Sequence, residues 1–207
     1  MSVAGARLRR LRSLSLRQLA RRARARPFHV HLCRASVHGA PPPEVPADLE
    51  LIHCPPGARS GWREIDRRSG PGRSCWAVLD GGGAVVHSTW VSAGSPLLAQ
   101  LGAGRDAVLV GESYTAPSHR GRGLNPAVLL AILEHRRFDV RHRSDPYVYA
   151  MIDVDNALSL RSMGRAGFES VGTLEGATRL GRWQVARSDV QLRPPTEVSS
   201  APGGPPS

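Results

Sequence analysis

Residues 106–125 read Asp106-Ala-Val-Leu-Val-Gly-Glu-Ser-Tyr-Thr-Ala-Pro-Ser-His-Arg-Gly-Arg-Gly-Leu-Asn125, and the fold turns on how this stretch is divided. Ala107 to Val110 is a short apolar run rich in β-branched valine, which favours a strand. Pro117 ends the ladder because it has no N–H to donate. Arg120-Gly121-Arg122-Gly123 makes a turn. Beyond it, Leu129, Ile132 and Leu133 fall on one face of a helix over Pro126 to Phe138. Strand, Gly-Arg turn and helix thus follow in order. A turn of this kind leaves backbone N–H groups free at a helix start, with two guanidinium groups beside them. Helix dipole, backbone donors and arginine charge all favour a phosphate or pyrophosphate.

Two familiar phosphate loops do not fit. A P-loop ends in Gly-Lys-Ser/Thr, and the chain contains no lysine. A dinucleotide fingerprint needs a third glycine, where this chain continues Leu124-Asn125-Pro126.

A second segment repeats the pattern. Tyr147 to Asp153 reads as a strand. Asn156 then stands where its side chain can cap a helix. Leu160, Met163 and Ala166 repeat at helical spacing, and Gly167 with apolar Phe168 supplies a C-terminal stop.

From Cys75 to Arg193 the chain resembles the GNAT superfamily of acyl-CoA-dependent N-acyltransferases. The family's phosphate motif, Arg/Gln-x-x-Gly-x-Gly/Ala, falls on Arg120, Gly123 and Asn125. Asn125 departs from Gly/Ala and is read as a helix N-cap, with Pro126 at the first helical position. The second motif falls on Asn156, Ser159, Arg161, Gly167 and Phe168. The resemblance implies an α/β (α+β) fold: a mixed, mostly antiparallel sheet with helices on both faces, its fourth and fifth strands splayed apart.

The resemblance also implies an acetyl-CoA-dependent N-acetyltransferase in which an amine attacks the thioester directly, without an acyl-enzyme. Thr115 and Ala116, at the end of the fourth strand, would border the cofactor. Arg120, Gly121, Arg122, Gly123, Leu124 and Asn125 would hold its pyrophosphate. Asn156 and Ser159 would flank it from the second helix. A backbone N–H on the fourth strand would meet the thioester oxygen as it becomes an oxyanion. Many members place a tyrosine general acid where this chain has Met163.

The residues themselves offer substitutes. Glu112 is the candidate general base, since only the neutral amine attacks; the alternative is a solvent-facing strand glutamate. Tyr114 shares its strand face and is the candidate acid; the alternative is an amphipathic core tyrosine. Asp153 and Asp155, ending the next strand, could hold a cationic acceptor, although Asp155 could equally help cap the helix. Ser88 and His87, on the third strand, are further acceptor contacts.

Composition bounds the rest. The chain has 207 residues and a net charge of +11, enough length for one domain with a sizeable core. Ten of the 28 arginines lie in residues 1–40 without an acid, leaving 18 against the 17 acids of the remainder. The basic character therefore belongs to an arm. The absence of lysine, amid much Ala, Gly, Pro and Arg, points to GC-rich coding, which weakens any case from pI alone.

Within the arm, Leu8, Leu11, Ser15, Leu19 and Ala23 fall near one helical face. Such a basic amphipathic helix could lie on an anionic membrane or on nucleic acid; a solvated extension and a mitochondrial transit peptide share its composition. No stretch approaches the ~20 apolar residues of a membrane span.

Organisation is then read as a basic arm over 1–40, a Pro-rich linker over 41–48, a catalytic domain over 49–193 and a disordered tail over 194–207. Strands are expected at Leu49 to His53, Cys75 to Leu79, Ala84 to Val91, Val108 to Tyr114 and Tyr147 to Asp153. A last hairpin is expected from Ser170 to Leu174 and Gln184 to Val190. Three cysteines without Cys-x-x-Cys spacing fit a reducing cytoplasm, and no zinc pattern forms around His29 and His31. No metal is expected. The location is read as cytoplasmic, with the arm a route to the membrane periphery. The acceptor is open: a small-molecule or peptide amine. Two other classes compete: a non-catalytic acyl-CoA sensor docked by its arm, and an RNA-binding protein, whose stacking aromatics the arm lacks.

Overall fold

The computed structural model of the protein describes residues 25–139, 145–179, 182–190 and 192. Among them, one sheet contains β1 (Arg26–Ser36), β2 (Glu50–Cys54), β3 (Arg73–Leu79), β4 (Val85–Ala93), β5 (Val108–Thr115), β6 (Tyr147–Asp153), β7 (Glu169–Arg179) and β8 (Arg182–Ser188). The spatial order is β2-β3-β4-β5-β6-β1-β7-β8. Neighbours are antiparallel except β5 and β6, which run parallel. The helices are α1 (Arg63–Arg68), α2 (Pro96–Gln100), α3 (Leu124–Asp139) and α4 (Ala157–Arg165), with a 3-10 turn at Pro117–His119.

Alternation along the strands sorts two faces. One face, including Val91, Val108, Val110, Val148 and Ile152, is covered by Val128, Leu129, Ile132 and Leu133 of α3 and Met163 of α4. The opposite face has two smaller cores. Leu97 and Leu98 of α2 pack with Leu32, Tyr149 and Leu174. Ile65 of α1 packs with Cys54, Cys75 and Trp90. Each fully buried leucine or isoleucine contributes ~1.5–3 kcal/mol. Helices thus cover both faces of a mixed, mostly antiparallel sheet, as expected.

The largest departure from the sequence reading is β1. The basic arm was drawn through residue 40, yet Arg26–Ser36 is wedged into the sheet. It pairs with β6 along one edge, from Val30↔Asp153 to Ser36↔Tyr147. It pairs with β7 along the other, from Arg26↔Thr178 to Arg34↔Glu169. The reason is visible once charge is set aside. Phe28, Val30 and Leu32 alternate toward the α2 face, while Cys33, Ala35 and Val37 reach the α3 face. Arg34 keeps its guanidinium at the surface, against Glu169 at 3.3 Å and over the Tyr147 ring at 4.5 Å. The domain therefore begins by Arg26, not at residue 49. The end of the expected arm and the expected linker also touch it: Val37 is fully buried, Ala40 packs on the α3 core, and so does Val45 from within residues 41–48. The amphipathic pattern from Leu8 to Ala23 and the 194–207 tail lie outside the described residues.

The remaining elements sit close to expectation. Asp80 closes the β3–β4 hairpin, its carboxylate accepting from Gly82 and Ala84 N–H at 2.9 Å. Asn156 caps α4, its Oδ1 accepting from Ser159 N–H at 3.0 Å. The start of α3 differs. The Ala127 N–H donates to the Gly123 carbonyl at 3.1 Å, so the helix begins at Leu124 and Gly123 is its cap. Asn125, read as the cap, lies inside the first turn. Its side chain instead crosses to α4, where Nδ2 donates to Ser162 Oγ at 2.8 Å.

Candidate active site

The site begins where β5 and β6 part. They pair only from Val108↔Val148 to Val110↔Ala150. Beyond Val110, β5 stays with β4 while β6 stays with β1, and the parallel strands splay. This leaves a gap between the carboxyl ends of the two strands, the candidate cleft.

A β-bulge coincides with the splay. Ser88 pairs with Tyr114 and Trp90 with Gly111, so Glu112 and Ser113 together oppose Thr89. Two residues against one is the definition of a bulge, and bulges re-aim side chains next to functional sites. Glu112 adopts φ +52°, an unusual left-handed conformation for a residue with a Cβ.

Each flank of the bulge carries different chemistry. On the α1 face, the Glu112 carboxylate accepts from Arg73 Nη2 at 2.7 Å and from Arg68 Nη2. Both guanidinium groups lie 4.6 Å from the Trp90 ring centre and gain cation–π attraction there. Glu112 is thus positioned by two arginines, one on each carboxylate oxygen, while its side chain stays 58% exposed and keeps acceptor capacity on both oxygens. Tyr114 emerges exposed on the Ser88 and Trp90 face of the sheet. It is not a core tyrosine.

On the α3 face, polar groups form a chain. Thr115 Oγ1 lies 2.8 Å from His87 Nδ1. His87 Nε2 lies 3.0 Å from Thr89 Oγ1. Thr89 Oγ1 lies 2.9 Å from Ser113 Oγ. His87 and Thr89 are fully buried, and Ser113 is exposed. Burial pushes the His87 imidazole down to about 4, because the charged form is deprived of water. His87 therefore turns away from the acceptor face for which it was considered. His87 and Thr89, two apart and therefore on one face of a strand, are the sequence signal for this chain of polar groups.

The phosphate turn continues from β5. Gly121 and Gly123 both have positive φ, +78° and +75°, a conformation that L side chains resist. A Cβ at either position would meet nothing within 4 Å, so it is conformation and not crowding that calls for glycine. Their amides lie at the N-terminus of the 16-residue α3, a ready anion site. The two arginines are partly committed. Arg120 Nε donates to the Thr115 carbonyl at 3.3 Å. Arg122 Nη2 donates to Asp48 Oδ1 at 2.6 Å, and that bond holds the Asp48 carboxyl below its usual range. Leu124 is buried beneath the turn.

Asn125 and Ser162 link α3 to α4 behind the turn, and the Asn125 Oδ1 is buried without a partner among the described residues. An unpartnered acceptor between the two helices that flank the cleft fits a ligand that brings donors. The glycine turn, the splay and this orphaned oxygen together fit the phosphates and pantetheine arm of CoA. Met163 is buried in the α3 core and offers no acid.

Asp153 lies apart from the bulge. It lines an open cavity of ≈730 Å³ with Asp155, Glu175, His29, Phe28 and Val185, formed by β6, β1, β7 and β8. His29 Nε2 approaches Glu175 at 3.5 Å. Asp155 N–H donates to Asp153 Oδ1 at 3.2 Å. No group of three or more potential metal ligands occurs among the described residues. No helix among them is long and apolar enough to cross a membrane.

Comparison with known proteins bears on the fold. No protein-family model matches the chain, and no curated protein matches it. Among solved structures, a Drosophila protein is similar at a TM-score of 0.52 and 14% identity, over 86% of this chain and 57% of its own. A GNAT-family protein from Novosphingobium aromaticivorans is similar at a TM-score of 0.50 and 16% identity, over 75% of this chain and 65% of its own. A GCN5-related N-acetyltransferase from Sphaerobacter thermophilus gives a TM-score of 0.49 at 15% identity, over 92% and 59%. The chain spans less than two thirds of each of these proteins. With the splayed parallel pair at its centre, it has the fold of the GNAT superfamily.

Proposed function

We propose that the protein transfers an acyl group from acyl-CoA, acetyl-CoA first, to an amine. The observation that supports this most is the continuity of splay, bulge and glycine turn along one strand and its following helix. CoA supplies an activated thioester carbonyl when bound. The amides of Gly121 to Leu124 and the guanidinium of Arg120 would fix the pyrophosphate. Thr115 and Ala116 would border the pantetheine arm, and Asn156 and Ser159 would border it from α4. A backbone N–H freed by the splay would face the developing oxyanion.

The acceptor would approach from the opposite face, past Ser88 and Tyr114. Asp153, Asp155 and Glu175 make that side acidic, which suits a cationic amine. Glu112 would take the ammonium proton through water, and Tyr114 remains the candidate acid on this face. Acceptor type, a small molecule or a peptide, would be set by the cavity between β6 and β8.

One observation favours a second reading, a non-catalytic acyl-CoA binder: Glu112 is clamped by two arginines and Met163 replaces the family tyrosine. Calorimetry with CoA and with pantetheine tests the shared part. CoA should bind and pantetheine should bind far less well, each charge-assisted phosphate contact contributing ~1.5–3 kcal/mol. No binding at millimolar CoA rejects both readings. An amine panel with acetyl-CoA, followed by free thiol release, separates them. The arm over residues 1–24 is proposed to contact an anionic membrane or nucleic acid and to keep a cytoplasmic protein at such surfaces; cosedimentation with phosphatidylserine vesicles, with and without it, tests this.

A further inference from the structure

The buried polar chain on the α3 face has a direction as well as a path. A neutral imidazole donates through one nitrogen and accepts through the other. If Nε2 carries the proton, His87 donates to Thr89, Thr89 donates to Ser113, and the Ser113 hydroxyl points its proton outward. If Nδ1 carries it, every bond reverses and Ser113 presents a lone pair. Burial disfavours the charged imidazole, and in neutral His87 one of these two polarities holds. Charged groups around the strand include Glu112 with Arg68 and Arg73 on the other face, and Arg120 beyond Thr115.

Ser113 is the exposed end of this chain, and it lies in the bulge, where β5 has left β6. We propose that Ser113 donates the proton to the sulfur of the departing CoA, and that Thr89, His87 and Thr115 refill it. This rests on the acyl-CoA reading above. In the transfer, the amine nitrogen bonds to the acyl carbon. The carbon–sulfur bond breaks, its electron pair stays on sulfur, and sulfur takes the Ser113 proton. Thr89 gives its proton to Ser113, His87 Nε2 gives its own to Thr89, and Nδ1 takes the Thr115 proton. Water replaces the last. The hydroxide this leaves takes one of the two protons shed by the ammonium, and the other enters solvent. Rotation of the three hydroxyls and return of the imidazole proton to Nε2 resets the chain. Ser113 would thereby fill the role that Met163 of α4 cannot, in place of the Tyr114 candidate on the other face of the sheet.

The test needs no acceptor. A donor aimed at sulfur stabilises the thiolate of bound CoA, so its thiol titrates lower than free CoA and affinity rises with pH. CoA and desulfo-CoA are titrated into the full chain by calorimetry at pH 7 and pH 10, and the ratio of their affinities cancels every titration of the protein itself. From wild type we expect CoA to gain about tenfold or more over desulfo-CoA between these pH values, the worth of one charge-assisted hydrogen bond. Ser113→Ala should abolish the gain and leave desulfo-CoA affinity unchanged. Thr89→Val should also abolish it, and Thr89→Ser should restore it, with melting temperature and desulfo-CoA binding confirming the fold. Nitrogen-15 spectra of the CoA complex at pH 10 should show His87 protonated on Nε2. A gain that survives Ser113→Ala overturns the donor, and one that survives Thr89→Val overturns the relay. If neither CoA nor desulfo-CoA binds, the acyl-CoA reading falls first and takes the relay with it.

Discussion

The sheet has two halves that meet at the splay, and they are built differently. From β2 to β5, each strand pairs with the next in sequence. From β6 to β8, a strand from the other end of the chain is inserted between β6 and β7, pairing Val30 with Asp153 and Leu174. The first half carries the bulge, the glycine turn and the polar chain. The second carries the acidic cavity. The half with the bulge is thus closed by strands adjacent in sequence, and the half with the cavity by long-range pairing.

The largest test of this difference is deletion. Removing residues 1–24 should leave a folded domain, whereas removing 1–40 takes out a central strand and should abolish cooperative unfolding, followed by circular dichroism. Within β1, Leu32→Ala alone should cost ~2–5 kcal/mol in a urea titration, since Leu32 is fully buried. A stable, cooperatively folded 41–207 fragment would mean the halves are not unequal after all.

Acid should act on the first half. His87 is pushed down to about 4 when folded and titrates near 6.5 when unfolded. Between these values the unfolded chain binds more protons, so stability is full above about pH 6.5 and is lost as pH falls toward 4. The expected loss is about 3 kcal/mol, and His87→Gln should remove most of that dependence. Equal pH slopes in wild type and variant would assign acid sensitivity elsewhere.

A smaller effect separates conformation from contact at the glycine turn. Gly123→Ala should lower CoA affinity about tenfold, because left-handed alanine costs ~1–2 kcal/mol and the turn will relax away from it. Gly57, with φ +76° and equally open surroundings, is the control, and its alanine variant should bind CoA like wild type. Equal losses at both positions would make the effect global.

The smallest expected effect on stability is at Glu112. Its ion pairs with Arg68 and Arg73 are partly exposed, so Glu112→Gln should cost no more than about 1 kcal/mol. Its effect on turnover is the informative quantity. As a base acting through water, Glu112 should contribute ~10²–10⁴ in rate, whereas a purely structural clamp should leave turnover within a few-fold.

These contrasts explain what the sequence made legible. Strand β5, helix α3, strand β6 and the Asn156 cap are local patterns, and residues 106–168 hold them contiguously. Strand β1 was hidden because Arg26 and Arg34 continued the charge of the arm, and charge was weighed above the alternation of Phe28, Val30 and Leu32. The α3 start moved because Asn125 has its partner, Ser162, on another helix. Ser113 and Thr89 went unnoticed because their contact depends on a bulge, and a bulge is a property of two strands in register. The arginine pair on Glu112 was not legible because Arg68 and Arg73 reach it from 44 and 39 residues away.

The placement of β1 also orders events in time. It is made first, but Asp153 and Leu174, the partners of Val30, lie more than 100 residues further along the chain. The β2–β5 meander can close on itself during synthesis, since each strand pairs with the next in sequence. Strand β1 must wait, with Phe28, Val30, Leu32 and Cys33 unpaired, until nearly all of the domain has left the ribosome. Slow final closure, and a long interval in which an apolar strand is open to strangers, are the kinetic costs of that arrangement.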